Sequence, residues 1–159
     1  GGTAAVSAGT AATLTAAGYT VVRVSGADRY ATSVAINKWI VGSSTNAADF
    51  DGTSVVLVNG ENFADGLAAG PYAGIESEAG SNSAGSGRAF YLTAASGLSS
   101  SVSAAIATTS KSKLPTNLYT VGGLSVVPAS VVAEVTTAST GLNTTSTLKL
   151  LQLSLSSCP

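Results

Sequence analysis

The sequence predicts an α/β fold of three layers, in which a mostly parallel β-sheet carries helices on both faces. The main observation is an alternation of short apolar, β-branched runs with helical segments, because strands joined by helices pair in parallel. A second observation is the composition of the 159 residues: 45% are hydrophobic and only 9% are charged, which indicates a packed core. The length fits one ordinary domain.

Short runs rich in valine, leucine and aromatic residues are the predicted strands. The run after Gly52 is almost continuously apolar, which is typical of a strand buried on both faces. Leucines 148, 150, 153 and 155 are compatible with a final edge strand or with an appended tail. The four predicted strands are Tyr19–Ser25, Thr53–Gly60, Arg88–Thr93 and Asn117–Gly123.

Each predicted strand is followed by a predicted helix. Asp28 can cap a helix that runs to about Ile40, and Gly70 with Pro71 is expected to end the short helix after the second strand. Apolar residues at four-residue spacing predict the third helix, and a proline in the first turn predicts the last one. The loops at the carboxyl ends of the strands then gather on one edge, where open α/β sheets bind ligands.

Charge and composition exclude several classes of function. A net charge of −1 gives no long-range field to attract nucleic acid, and no apolar run approaches the length that spans a bilayer. Histidine is absent, which removes the commonest general base and metal ligand, so we expect no cofactor and no metal. The single cysteine, Cys158, cannot form an intrachain disulfide and is expected to be a free thiol or an intermolecular link.

The sequence contains an internal similarity. Gly1–Leu14 and Gly122–Val135 both open with Gly-Gly, have a valine five residues after the first glycine, and continue as alanine-containing helical sequence. A tandem array explains the similarity, while the alternative is two unrelated turns before helices. We therefore predict three parts: a closing segment of a preceding unit (1–18), one full unit (19–138), and a tail or edge strand (139–159). The Gly- and Ser-rich stretch Ile75–Arg88 is predicted to be a long loop.

Four motifs occur in a fixed order along the chain. They are RVSGADRYATSVAI (23–36), VVLVNGENFADGLAAGPYA (55–73), FYLT (90–93) and LYTVGGLSVV (118–127). Together they resemble the second type of cell-wall-binding repeat, which is found in bacterial surface proteins. The resemblance implies a Toprim-like or Rossmann-like α/β module, often present in tandem copies. It also implies a non-catalytic, extracellular role, in which S-layer and other surface proteins are anchored to wall glycans, often anionic secondary polymers.

The resemblance also implies which residues form the polymer-binding site. One residue departs from the pattern, since Gly66 stands where the family usually has alanine. The positions that match the family are Arg23, Gly26, Asp28, Arg29 and Tyr30 in a first signature, Gly60, Asn62 and Asp65 in a second, and Gly122 and Gly123 in a third.

The first signature has two interpretations. Arg23 and Arg29 place positive charge beside a helix N-terminus, which suits phosphate, pyruvyl or uronic carboxylate groups of a glycan. Alternatively, Arg29 pairs with Asp28 or Asp65 and only locks two loops together. Gly26 would let the chain turn without a Cβ clash in either case.

The second signature also has two interpretations. Glu61 and Asp65, with Asp28, could hold Mg²⁺ in a hydrolytic site. Against this, two arginines would neutralise the acids, and Asn62 and Asp65 serve equally well as helix caps, with Phe63 as a core anchor. We therefore expect no enzymatic activity.

Aromatic residues outside the signatures are expected to pack rather than to bind sugar. Tyr91 and Tyr119 lie within strand patterns, and Trp39 lies late in the first helix of the unit, where core or inter-unit packing is favoured. An alternative function remains open on sequence grounds. The chain holds one complete unit, so the fold could serve as a self-assembling subunit of a surface layer or filament, with further copies of the repeat as partners.

Overall fold

The computed structural model describes residues 1–43, 50–74, 87–112, 117–140 and 149–153. Helices and strands alternate along most of this part of the chain. In chain order they are α1 (Ala8–Ala16), α2 (Arg29–Ser43), β1 (Phe50–Asn59), α3 (Phe63–Gly74), β2 (Gly87–Thr93), α4 (Ser100–Ser112), β3 (Asn117–Val121), α5 (Ala129–Thr140) and β4 (Lys149–Leu153).

The four strands form one sheet in the order β2-β1-β3-β4, and every neighbouring pair is parallel. Strand β1 lies inside the sheet, with Val56 opposite Phe90 on β2 and opposite Tyr119 on β3. This position explains why β1 is apolar on both faces, since Val55 to Val58 are all buried. The prediction of a mostly parallel sheet is confirmed.

Helices cover both faces of the sheet. On one face, α2, α4 and α5 contribute Val34, Val102 and Val131 to a core cluster that includes Leu57 of β1. On the other face, α3 contributes two alanines, one of them Ala69, to a second cluster with the opposite side of β1. The α/β fold class with a layer of helices on each face is therefore confirmed.

Three predicted elements differ from the structure. The predicted strand Tyr19–Ser25 is wrong for this sheet, since in the described residues this segment pairs with no strand. Helix α3 does not stop at Pro71 but continues to Gly74. Proline has no N–H, so the carbonyl oxygen of Leu67 loses the helical hydrogen bond that residue 71 would donate. Because Leu67 is exposed, water can donate to this oxygen instead. Of the two expectations for the leucine-rich end, the edge strand is the one observed, as β4.

Two features named from the sequence lie outside the described residues. They are Cys158 and most of the predicted loop Ile75–Arg88, of which only Gly87 and Arg88 are described, at the start of β2. Within the described ranges, no helix has the length and apolar character needed to cross a membrane.

Candidate functional site

The first signature forms a tight turn before α2. The Asp28 carboxylate accepts a hydrogen bond from the backbone N–H of Ala31 (2.7 Å), so the predicted helix cap is confirmed. The Thr32 hydroxyl donates to the Asp28 carbonyl oxygen (2.7 Å) and accepts from the Gly26 N–H (3.0 Å). A Cβ atom on Gly26 would lie 2.4 Å from the carbonyl carbon of Ala31, so only glycine fits here.

Arg29 connects the first signature to the second. Its Nη1 donates to the carbonyl oxygen of Gly60, directly after β1, at 2.6 Å. In the described part of the chain the guanidinium forms no ion pair with Asp28 or Asp65. The loops are therefore joined through a backbone carbonyl, and among the described residues no carboxylate pairs with the positive charge of Arg29.

Gly60 lies close to the side chains of Arg29 and Tyr30. A Cβ atom at this position would lie 3.1 Å from the ring of Tyr30 and 3.4 Å from Cδ of Arg29. Tyr30 is half-buried and packs against the larger core cluster. The glycine thus allows Arg29 and Tyr30 to lie close over the end of β1.

Asn59 is a site residue that sequence reasoning missed. Its side chain is buried and donates through Nδ2 to the Val126 carbonyl oxygen (2.6 Å). Its Oδ1 accepts from the backbone N–H groups of Glu61 (2.7 Å) and Asn62 (3.1 Å). The available signal was a polar residue at the end of a buried apolar strand, which needs hydrogen-bond partners.

The third signature lies beside the second. Gly122 follows β3 with φ of +116°, a conformation that favours glycine, and a Cβ there would lie 2.9 Å from Oδ2 of Asp65. The Gly123 carbonyl oxygen accepts from Val126 N–H and Val127 N–H, both at 3.0 Å. Arg29 and Tyr30 thus contact Gly60 after β1, and Asp65 lies against Gly122 after β3, so the two sets of contacts follow the carboxyl ends of neighbouring strands.

The remaining polar side chains of the second signature, Glu61 and Asn62, contact backbone groups. Glu61 accepts from Ala95 N–H in the loop after β2 (3.2 Å), and Asn62 accepts from Ala64 N–H in α3 at a long 3.4 Å. In the described ranges no group of three or more His, Cys, Asp or Glu residues could hold a metal ion.

Arg23 belongs to a different set of contacts. Its Nη1 donates to the Gly1 carbonyl oxygen (2.8 Å) and its Nη2 to the Ser7 carbonyl oxygen (3.4 Å), so it fastens the N-terminal segment to the chain before α2. Between that segment and α2 lies an open groove of about 560 Å³. The residues that line it include Asp28 and Arg29, together with Phe90 and Leu92 of β2.

Aromatic and apolar residues divide into buried and exposed groups. Tyr91 and Tyr119 are buried, as predicted from their strand positions. Phe63 is 78% exposed at the start of α3, so the expectation of a core anchor is wrong. The buried residues of α3 are Ala69 and Ala73, and helical spacing places Phe63 off the face that they form. Leu67 and Leu124 are exposed as well, and Trp39 is about half exposed on α2.

Comparison with known proteins gives one match. The family model for cell wall binding domain 2 matches residues 23–132, which is more than half of the chain and includes the three signatures. No curated protein and no solved structure matches the chain. The matched region runs from Arg23, through the carboxyl-edge contacts described above, into α5. The chain therefore belongs to the cell wall binding domain 2 family.

Proposed function

We propose that this chain is a non-catalytic module that binds an anionic secondary polymer of the bacterial cell wall and thereby anchors a surface protein outside the cell. The family supports a cell-wall-binding role, and the polymer class is our inference from the site. The observation that carries it is the exposed Arg29 side chain, which is held in place by its hydrogen bond to Gly60.

Arg29 has the properties of an anion-binding group that is already oriented. Only Nη1 is used in the contact with Gly60, so Nε and Nη2 have no partner in the described part of the chain. A guanidinium can bind a phosphate or carboxylate through two parallel N–H groups. Because the contact with Gly60 restricts the side chain before binding, less conformational entropy is lost when a ligand arrives.

Neighbouring residues supply surface suited to a sugar ring. Phe63, Leu67 and Leu124 are exposed on α3 and on the loop after β3, which belong to the same edge of the sheet. Apolar side chains can pack on the C–H faces of pyranose rings, while Arg29 binds the charged substituent. With a net charge of −1, the chain would recognise the polymer by local contacts rather than by long-range attraction.

The other signature residues have mainly a positioning role in this proposal. Gly26, Gly60 and Gly122 permit close backbone approaches, and Asp28 and Asn62 accept hydrogen bonds at helix starts. Asp65 lies against Gly122 and limits which groups can approach from that side. Arg23 would contribute charge near the polymer while it holds the N-terminal segment.

Co-sedimentation with purified bacterial walls tests the proposal. Walls are used intact and after acid extraction of their secondary polymers, with the peptidoglycan retained in both. We expect the chain to sediment with intact walls and to remain in solution with extracted walls. Equal binding to both preparations would contradict a secondary polymer as ligand, and binding to neither would contradict the anchoring role.

A further inference from the structure

Residues 20–24 form an apolar segment without a place in the sheet. Val21 and Val22 are exposed to 38% and 56%, and Tyr19 just before them to 66%. In the described part of the chain no backbone N–H of residues 20–24 donates a hydrogen bond. A segment of this composition is normally buried in a sheet, so its exposure indicates a missing partner.

The N-terminal segment matches the closing part of the unit in structure as well as in sequence. A shift of 121 positions places Gly1 on Gly122 and also places the first residue of α1 on the first residue of α5. After each helix comes the same pattern of polar, apolar, apolar, polar, apolar, serine. It reads Thr-Val-Val-Arg-Val-Ser at 20–25 and Lys-Leu-Leu-Gln-Leu-Ser at 149–154, and residues 149–153 of the second copy are β4.

Burial differs between the two copies of this helix. Val127 and Val135 are buried in the core of the unit, at 2% and 0% exposure. Their equivalents under the same shift are Val6 and Leu14, which are 44% and 43% exposed, and α1 has no buried residue. Positions that pack against a sheet in one copy therefore face solvent in the other.

The strand segments correspond under a shift of 129 positions, from 20 to 149, which is eight more than the shift for the helices. One hydrogen bond fits this strand equivalence. The Gly1 nitrogen donates to the Val24 carbonyl oxygen at 2.9 Å. In the unit itself, the residue before Gly122 is Val121, the last residue of β3, and it pairs with Leu153, the equivalent of Val24. Gly1 and Val24 are thus held together as they would be at the end of a ladder between two parallel strands.

We propose that residues 1–24 are the closing helix and edge strand of a neighbouring unit of the same fold. The partner is a unit whose own last strand is the equivalent of β3. Residues 20–24 pair with that strand in parallel. The register follows β3 and β4, with Val21 opposite the equivalent of Leu118 and Val22 opposite the equivalent of Tyr119. Because Leu118 and Tyr119 belong to the two different core clusters, the two valines would each cover one face of the neighbouring sheet.

The proposal moves a boundary of the unit. Residues 19–25, expected from the sequence to be the first strand of this unit, would belong to its neighbour, and the fourth strand of this unit is β4. Arg23 and the contact of Gly1 with Val24 then lie where two units join. The interface does not depend on whether the module binds an anionic polymer.

A tandem chain tests the interface. Residues 26–121 are added directly before Gly1 of the full 159-residue chain, so that the added β3 meets Gly1 as the native β3 meets Gly122. Hydrogen exchange is measured on residues 20–24 in the tandem and in the single chain, with circular dichroism to follow folding. We expect the amides of residues 20–24 to exchange freely in the single chain and to be protected roughly hundredfold or more in the tandem, as in a stable strand.

Matched substitutions separate the interface from general effects. Val22→Asp and Leu14→Asp are expected to leave the single chain unchanged, because both side chains are exposed there, and to remove the protection in the tandem. Thr13→Asp is the control, since the equivalent position in α5 is the exposed Glu134. An added unit that stays unfolded, unprotected residues 20–24 in the tandem, or equal effects of Val22→Asp in both chains would each overturn the proposal.

Discussion

The side-chain amide of Asn37 pairs with both backbone groups of Phe90. Its Nδ2 donates to the Phe90 carbonyl oxygen at 2.6 Å, and its Oδ1 accepts from the Phe90 N–H at 3.1 Å. Ser33, one turn earlier on α2, accepts from the N–H of Leu92 at 3.2 Å. Strand β2 lies at the edge of the sheet, so α2 satisfies backbone groups that would otherwise be open to another chain.

Asn37→Leu is expected to destabilise the protein strongly. The substitution keeps the volume of a buried side chain but leaves the N–H and C=O of Phe90 without partners, which costs about 3 kcal/mol of unfolding free energy. Urea denaturation followed by circular dichroism measures the change. Lys38→Ala, at the neighbouring exposed position of α2, is the control and should fall within about 0.5 kcal/mol of the parent. A similar stability for Asn37→Leu and the parent would show that the pairing does not hold α2 to the edge.

Gly26→Ala and Gly66→Ala are expected to act in opposite directions. At Gly26 the new Cβ would lie 2.4 Å from the backbone of Ala31, so the turn must open and the protein should lose about 3 kcal/mol of stability. At Gly66, within α3, nothing lies within 4 Å of a Cβ, and alanine should add about 0.5–1 kcal/mol through its helix propensity. Thermal unfolding of the two variants checks both signs. Destabilisation by Gly66→Ala would mean that the family's usual alanine is disfavoured in this chain for a reason outside the helix.

Arg88→Lys is expected to be costly although it keeps the charge. The buried Arg88 guanidinium lies 4.6 Å from the ring centroid of Tyr72 and 5.3 Å from that of Tyr119, and its Nη1 donates to the Tyr72 carbonyl oxygen at 2.8 Å. An ammonium cannot lie flat against two rings, so we expect a loss of about 2 kcal/mol in chemical denaturation. Because Arg88 lies at the opposite end of β2 from the signatures, wall binding of the folded variant should be unchanged. A loss of wall binding at unchanged stability would place the polymer site at this end of the sheet.

The alternation of strands and helices was predictable because it depends on local signals. The apolar run at Val55–Val58, the capping Asp28 and Pro128 each act on their own neighbourhood, and the strand and the two helices that they predict are observed. Pro128 was expected within the first turn of the last helix and lies directly before it. The segment 20–24 was predicted to be a strand from the same kind of composition, but in the described residues it pairs with no strand. Strand pairing depends on tertiary contacts, which composition does not specify.

The contacts within the site were less predictable. The sequence predicted an ion pair of Arg29 with Asp28 or Asp65 as one interpretation, because opposite charges attract. In the structure Arg29 donates a hydrogen bond to the Gly60 carbonyl oxygen instead. Every residue has a backbone carbonyl, so the sequence does not indicate which carbonyl accepts the hydrogen bond. The exposure of Phe63 was not predicted either, because it depends on which face of α3 packs against the sheet.

Binding of a purified anionic wall polymer to Arg29→Ala and to Lys38→Ala tests the central claim most directly. Both variants lose one exposed positive charge from α2, but only Arg29 is fixed at the carboxyl edge of the sheet. Calorimetry on the two folded variants should show affinity lowered roughly tenfold or more for Arg29→Ala, as expected for a charge-assisted hydrogen bond, and little changed for Lys38→Ala. Equal affinities for the two variants would contradict the account, because the polymer would then respond to net charge and not to the Arg29 site.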